Sequence, residues 1–382
     1  MIDTPDALAA LISKARLQPC VAVDTEFVWE RTYYANLGVV QVGWSMEEAY
    51  LIDTVALDGQ LHALGWLLED VAVRKVLHDA PQDLQILHRA TGAHARNVFD
   101  TRIAAGFAGL GGTLSLQRLL RATVNVDLPK TESRSDWLKR PLTASQITYA
   151  QDDVRYLCAA AADIERRVRE AGRIDWMMEE LATLETPDLY AERNPDEMES
   201  RVKGTGRMRT RERSVVRELA GWREIEARDR NLPRRHVISD EAVVLLAKKR
   251  PTDPDDAAQL KGVPRRYADA LVSAIATGMD RAKSDPPTQD NSRIEDETVG
   301  ARVDLMLAYL KGRGIAEGVD PSLVANRSDI LDVADYGGDG PAPELALLKG
   351  WRRDFIGDDL IRLQRGELAI RVNPETRLPE PA

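Results

Sequence analysis

A chain of 382 residues exceeds one average domain and implies two or three. Apolar residues make up 43% of it and charged residues 30%, which excludes a disordered or collagen-like polymer; two cysteines exclude a disulfide-stapled scaffold. The net charge of −10 excludes a uniformly basic nucleic-acid binder, but it averages over blocks of opposite sign: residues 200–282 carry 19 Lys and Arg against 12 Asp and Glu, whereas residues 286–382 carry 12 against 18.

Cys20 and Cys158 each lie in an apolar run and belong to no paired zinc spacing, so both are expected as reduced core thiols, in keeping with a cytoplasmic location. The first residues, Met1 to Asp6, are acidic and lack the basic start of a signal peptide, and no run approaches the ~20 apolar residues of a membrane span. No membrane association is expected.

Along residues 1–190, strand and helix patterns alternate. Residues 21–27, 39–44 and 49–52 read as three strands with short connections, which favours an antiparallel meander at one side of a sheet. A helical pattern follows over 57–68, a short strand over 75–77, the opening of a helix over 84–89 and a further short strand at 98–99. Asp100 precedes the helical run of Ile103, Ala104 and Phe107 and is expected to cap it. Residues 114–120 and 144–166 are helical in pattern. The sum is an α/β domain, a mixed sheet flanked by helices. Residues 191–210 read as a polar connector, 211–282 as a small helical bundle, 283–300 as a second linker, 301–373 as a second helical set and 374–382 as a frayed tail.

Three short windows concentrate the chemistry. Asp24 and Glu26 end the apolar run Cys20-Val21-Ala22-Val23, and residues two apart on a strand share a face. Asp83 follows Pro81 at the start of an apolar-periodic helix. Tyr149 and Asp153 are four apart in a helical pattern and share a face. Clustered carboxylates repel one another unless a cation neutralises them, and hard divalent ions prefer such oxygen ligands. Two such ions can clamp the attacking and leaving oxygens of an in-line displacement at phosphorus. The set suits hydrolysis of a phosphodiester; no G-x-x-x-x-G-K-[ST] loop is present to suit an NTPase.

With their flanks, these windows resemble the tyrosine-bearing branch of the DEDD superfamily of 3′→5′ exonucleases, and within it the ribonuclease D family. The text that carries the resemblance is Val23 to Phe27, Arg31-Thr32-Tyr33-Tyr34, Leu37 to Gln41, Phe99-Asp100-Thr101, Glu132 to Leu138, Arg140-Pro141-Leu142 and Tyr149 to Asp153. The resemblance implies a ribonuclease H-like fold over residues 1–190. It implies that Asp24 bridges two Mg²⁺ or Mn²⁺ ions, that Glu26 and Asp153 ligate one, and that Asp83 holds the second largely through water. Tyr149 takes the position that orients the attacking water. Asp152 is expected to be solvated surface, and Asp79 and Asp100 are not expected to be ligands.

Phe27, Gln41 and His78 adjoin the acidic windows, and Lys130 and Arg134 are placed to pair with phosphate, so these five are the expected substrate-binding residues. His78 has an equal reading as a hydrogen-bonded strand-end histidine, and Trp137 is expected to pack rather than to stack on a base. The bundle at 211–282, with Arg223, Ala227, Arg228, Asn231 and Pro233 in its first helix and turn, resembles an HRDC module; residues 301–373 resemble a second, divergent one. The basic string Arg201, Lys203, Arg207, Arg209, Arg211 and Arg213 precedes and enters the first. The activity implied is metal-dependent 3′→5′ trimming of RNA that releases nucleoside 5′-monophosphates, with tRNA precursors bearing 3′ extensions as substrate class. The alternatives are a DNA 3′→5′ exonuclease and a catalytically inactive RNA-binding protein. No protein partner is inferred, and a monomer is expected.

Overall fold

The apolar run at Cys20 becomes the middle strand of a five-stranded sheet in a computed structural model that describes residues 1–129, 132, 135–206, 208–285, 297–337, 340 and 343–382. The strands are β1 (Cys20–Val28), β2 (Asn36–Gly43), β3 (Ala49–Asp53), β4 (Arg74–Leu77) and β5 (Val98–Asp100), in the order β3-β2-β1-β4-β5. β2 and β3 are antiparallel, with Gln41 opposite Leu51, whereas β1 pairs with β4 and β4 with β5 in parallel. The connections explain the mixture. A tight turn joins β2 to β3, while helices α2 (His62–Leu68) and α3 (Ala80–Thr91) supply the crossovers that parallel neighbours need. Val21, Ala22, Val23, Val76 and Leu77 are wholly buried, as expected of strands covered on both faces.

Helix α1 (Pro5–Ala15) was not legible beforehand; Thr4 caps it by accepting from the Ala7 N–H. Asp100 caps α4 (Thr101–Phe107) as expected, through the Arg102 and Ile103 N–H groups, and also accepts from the Asp79 and Ala80 N–H groups at the start of α3. Helices α5 (Leu116–Val124), α6 (Ala144–Arg155), α7 (Leu157–Glu170) and α8 (Ile174–Ala182) follow. The helical pattern at 144–166 is therefore two helices meeting at Tyr156.

The chain divides into two units. One comprises Met1–Val28, Leu37–Tyr190 and Asp296–Ala382, the other Trp29–Asn36 and Ala191–Glu295. In the first unit, the helices expected to form a second bundle share one continuous apolar core with the sheet domain. Val303, Met306, Tyr309, Trp351 and Phe355 cluster with Phe107, Met177 and Leu181. The Trp351 ring meets Phe107 edge-on at 4.9 Å and stacks on Trp176 at 6.0 Å. Arg352 forks onto Glu180 with bonds of 2.7 and 2.9 Å. The expected frayed tail is instead a hairpin of Ile370–Val372 with Pro379–Pro381. It closes against Gly312, where a β-carbon would lie 2.6 Å from the Pro379 carbonyl oxygen.

The second unit has its own core around Val215, Val216, Leu219, Leu246 and Leu271. Met198, Val202 and Met208 are buried in it, so part of the stretch expected to be a linker is core. Glu224 on the long helix Thr210–Asp229 is wholly buried and accepts from Arg234 at 2.8 Å, from Arg228 at 3.1 Å and from the Tyr33 hydroxyl. Asn231 Oδ1 accepts from the Tyr34 N–H at 3.0 Å. Residues 29–36, between β1 and β2 in sequence, are thus held by the helical unit. Replacing Glu224 by Gln would leave two arginines facing a neutral amide in a buried site. The expected cost is about 3 kcal/mol of that unit's stability, read as a lower urea midpoint; an unchanged midpoint would show that the cluster contributes little.

Candidate active site

The two spacings noted in the sequence meet in space. β1 presents Asp24 and Glu26, α6 presents Asp153, and one ligand oxygen from each lies within 4.8 Å of the other two. Asp83 enters from the first turn of α3, where its Oδ1 accepts from the hydroxyl of Thr25, the residue between the two β1 acids. Asp83 lies outside the 4.8 Å set, but its charge reaches Glu26 and is itself felt alongside that of Asp24. Tyr149 stands one helical turn before Asp153, half-buried, and the charges of Asp153, Glu26 and Asp24 all act on its hydroxyl.

Helix α6 is placed by local and long-range contacts. A capping box starts it: the Thr143 hydroxyl accepts from the Gln146 N–H at 3.1 Å, and Gln146 Oε1 accepts from the Thr143 N–H at 3.0 Å. Beneath it, Val39, Leu51, Trp137, Leu142 and Ala150 form a small apolar cluster. Trp137 is buried, as expected, with its ring 6.1 Å from that of Tyr149. Arg140 ties this segment to the sheet. Its Nε and Nη2 donate to the two Asp53 carboxylate oxygens at 2.7 Å each, its Nη2 also to the Gly38 carbonyl at 2.7 Å and its Nη1 to the Trp137 carbonyl at 2.8 Å. Gly38 permits this approach, since a β-carbon there would sit 2.5 Å from the Trp137 carbonyl oxygen.

The acids carry a shared electrostatic penalty. Burial first and Asp153 second hold Asp24 well above the usual carboxylate range. Burial, then Asp24, Asp153 and Asp83, push Glu26 up to about 9. Asp83 is raised by burial and then by Asp24, and Asp153 is raised to about 7 by burial and then by Asp152. The Tyr149 hydroxyl is also pushed up, by burial first and Asp153 next, so it keeps its proton at neutral pH. Among the described residues no Lys or Arg forms an ion pair with Asp24, Glu26, Asp83 or Asp153. An all-oxygen, uncompensated donor set of this kind fits hard divalent cations.

The other expected residues fare differently. Phe27 is half-buried on β1, beyond Glu26. Gln41 is wholly buried, with neither amide atom hydrogen-bonded, so its side chain presents no open surface to a substrate. Both His78 ring nitrogens are engaged, Nδ1 with the Thr101 hydroxyl at 2.9 Å and Nε2 with the Leu114 carbonyl at 3.1 Å; this is the hydrogen-bonded strand-end arrangement. Lys130 and Arg134 lie outside the described residues. Asp152 is not the solvated surface acid expected: its side chain is 17% exposed and pairs with Arg155 at 2.6 Å. It joins Tyr149, Asp153, Gln117, Ser145 and Thr148 in lining a cleft of about 340 Å³. Thr25 and Arg140 lie within the motifs, but sequence alone assigns them no role; Gln117 and Thr148 carry no sequence signal, because only folding brings them to one cleft.

Fold and site define a carboxylate-centred 3′→5′ exonuclease, and residues 1–169 match the family model described as 3′-5′ exonuclease, residues 212–276 that of the HRDC domain. Ribonuclease D of Desulfotalea psychrophila is 38% identical over 363 residues, covering 94% of this chain and 96% of that protein. Ribonuclease D of Granulibacter bethesdensis is 34% identical, covering 98% and 94%. Among solved structures, Escherichia coli RNase D, described as an exoribonuclease involved in structured RNA processing, superposes with a TM-score of 0.84 at 26% identity, covering 96% of this chain and 98% of its own. The chain belongs to the ribonuclease D family of 3′→5′ exoribonucleases.

The raised carboxylates set a pH dependence. Glu26 releases its proton near its ordinary 4.5 when unfolded but only near 9 when folded, so between these values the folded state binds more protons and loses stability as pH rises. Asp24→Asn removes a charge from the cluster. The metal-free variant should therefore melt above metal-free wild type, with the gap widening from pH 5 to pH 9 and reaching several degrees, at ~2–4 °C per kcal/mol. Differential scanning fluorimetry in EDTA reads this; a variant that melts below wild type throughout that range would contradict it.

Proposed function

We propose that this protein trims RNA 3′ ends one nucleotide at a time, with tRNA precursors carrying 3′ extensions as its substrate class, and that it works in the cytoplasm as a monomer. The observation that carries the reading is the convergence of Asp24, Glu26 and Asp153 within 4.8 Å beside a protonated tyrosine hydroxyl. Family membership and the likeness to Escherichia coli RNase D support RNA as the polymer.

Asp24, Glu26, Asp83 and Asp153 would hold two divalent cations, Mg²⁺ or Mn²⁺. When bound, these supply the positive charge that an in-line displacement at phosphorus needs. Asp24, Glu26 and Asp153, whose oxygens converge, would share in holding the cations, and Asp83, fixed by the Thr25 hydroxyl, would add a further carboxylate to them. Tyr149 accepts and donates one hydrogen bond, which orients the attacking water without adding negative charge at neutral pH. Attack on the last phosphodiester releases a nucleoside 5′-monophosphate and leaves a 3′-hydroxyl one residue shorter. The cleft beside Tyr149, with Gln117, Ser145 and Thr148 as hydrogen-bonding groups, is of nucleotide size. In the helical unit Arg201, Lys203, Arg209 and Arg211 are exposed and available to phosphates, whereas Arg213 pairs with Glu199 at 2.6 Å and Arg207 lies outside the described residues.

A gel assay on a 3′-extended tRNA with Mg²⁺ tests this. Wild type should shorten the RNA in one-nucleotide steps, EDTA and Asp24→Asn should abolish shortening, and Tyr149→Phe should lower kcat by ~10²-fold with KM little changed. RNA binding without shortening by wild type would instead support a binding protein. Affinity should also fall steeply with added salt, as counterion release demands; salt-independent binding would contradict the phosphate contacts.

A further inference from the structure

Cys20 and Cys158 are the chain's only cysteines, and the expectation that they are simple core thiols does not account for where they sit. They are 138 positions apart in sequence, yet their sulfurs stand 2.8 Å apart in an S–H···S hydrogen bond. Cys20 opens β1, the strand that carries Asp24 and Glu26. Cys158 lies in the first turn of α7, directly after the helix that carries Asp153. Both are half-buried rather than sealed in the core, so a small oxidant can reach them. No third Cys, His or acid joins them as a metal ligand among the described residues.

A disulfide needs its sulfurs about 2.05 Å apart, so these two need to approach by less than about 1 Å. The environment also sorts their roles. The hydrogen bond with Cys158 holds the Cys20 thiol below its ordinary value, opposing burial, and the nearby Arg74 guanidinium adds to this. Cys158 is pushed up by the same hydrogen bond and by burial. Arg74, opposite Cys20 in the register of β1 with β4, places positive charge beside the Cys20 sulfur, which makes Cys20 the attacking thiolate and leaves Cys158 as the resolving thiol.

We propose that Cys20 and Cys158 form a dithiol site for reversible oxidation by hydroperoxides, closing an intramolecular disulfide that bolts β1 to α7. The Cys20 thiolate attacks one peroxide oxygen: an S–O bond forms, the O–O bond breaks, and the other oxygen leaves as water after taking a proton. Cys158 sulfur then attacks the Cys20 sulfur. The S–S bond forms, the S–O bond breaks, and the departing hydroxide takes the Cys158 proton to give a second water. Two thiols and one H₂O₂ become one disulfide and two waters, and a dithiol reductant reverses the change. The bond closes a long loop, which restricts the unfolded chain most.

The test is oxidation of the full-length protein with one to a few equivalents of hydrogen peroxide. Wild type should lose both titratable thiols and two mass units, remain a single chain, and melt ~5 °C higher, with dithiothreitol reversing all three. Cys158→Ser should instead stop at a Cys20 sulfenic acid, 16 mass units heavier and trapped by dimedone. Cys20→Ser should react more slowly than either. Intact thiols in wild type after peroxide treatment, 16-unit additions without loss of two mass units, or disulfide-linked dimers would each overturn the proposal. Because the decisive reading is made on wild type, misfolding of a variant does not spare it.

Discussion

The structure of the first unit depends on holding carboxylates together against their own repulsion. Two like charges ~4 Å apart in a half-buried site oppose each other by about 4 kcal/mol at an effective dielectric of 20, well above the 0–1 kcal/mol of a typical surface ion pair. Asp24, Glu26 and Asp153 converge at such distances without a basic partner among the described residues, and Asp83 adds its charge from α3. The surroundings brace the cluster. β1 is gripped between β2 and β4, the Arg140 fork clamps β2 and β3 to the segment before α6, and Trp137 fills the space under that helix. Such a site relieves its repulsion by holding protons or by binding cations, and only the second leaves it charged for chemistry at neutral pH.

Much of this was legible beforehand because it obeys local rules. Two-residue spacing on a strand and four-residue spacing on a helix place side chains on one face whatever the tertiary fold, and apolar runs such as 20–23 mark buried strands. The capping of α4 by Asp100 is equally local. What escaped reading depends on partners far away in the chain. Thr25 meets Asp83 across 58 positions, and Arg140 meets Asp53 across 87. Asp152 looked solvated because helical phase turns it from Asp153, but Arg155 and the cleft wall cover it. Gln41 resembled a substrate contact by position; its burial follows from lying on the face of β2 that α6 covers.

The helical half was legible in kind and misleading in division. Periodicity found the helices but not which core each one joins. The acidic region after residue 297 packs Trp351, Phe355 and Tyr309 into the same core as the sheet, through contacts such as Arg352 to Glu180 across 172 positions. The basic region keeps a core of its own and extends it into the stretch expected to be a linker, because Met198, Val202 and Met208 are apolar anchors within polar text. The two charge blocks thus belong to different units. The acidic block adds its apolar side chains to the core of the first unit, whereas the exposed Arg201, Lys203, Arg209 and Arg211 belong to the second, together with residues 29–36.

The central claim is that the carboxylate cluster is a divalent-cation centre, and the most direct measurement is a crystal structure of the protein soaked in Mn²⁺, with anomalous differences collected at the manganese edge. The account requires strong peaks coordinated by Asp24, Glu26 and Asp153 oxygens, with a second ion roughly 3.5–4 Å from the first on the Asp83 side. Peaks elsewhere, or a cluster that stays protonated and metal-free at saturating Mn²⁺ and neutral pH, would contradict it.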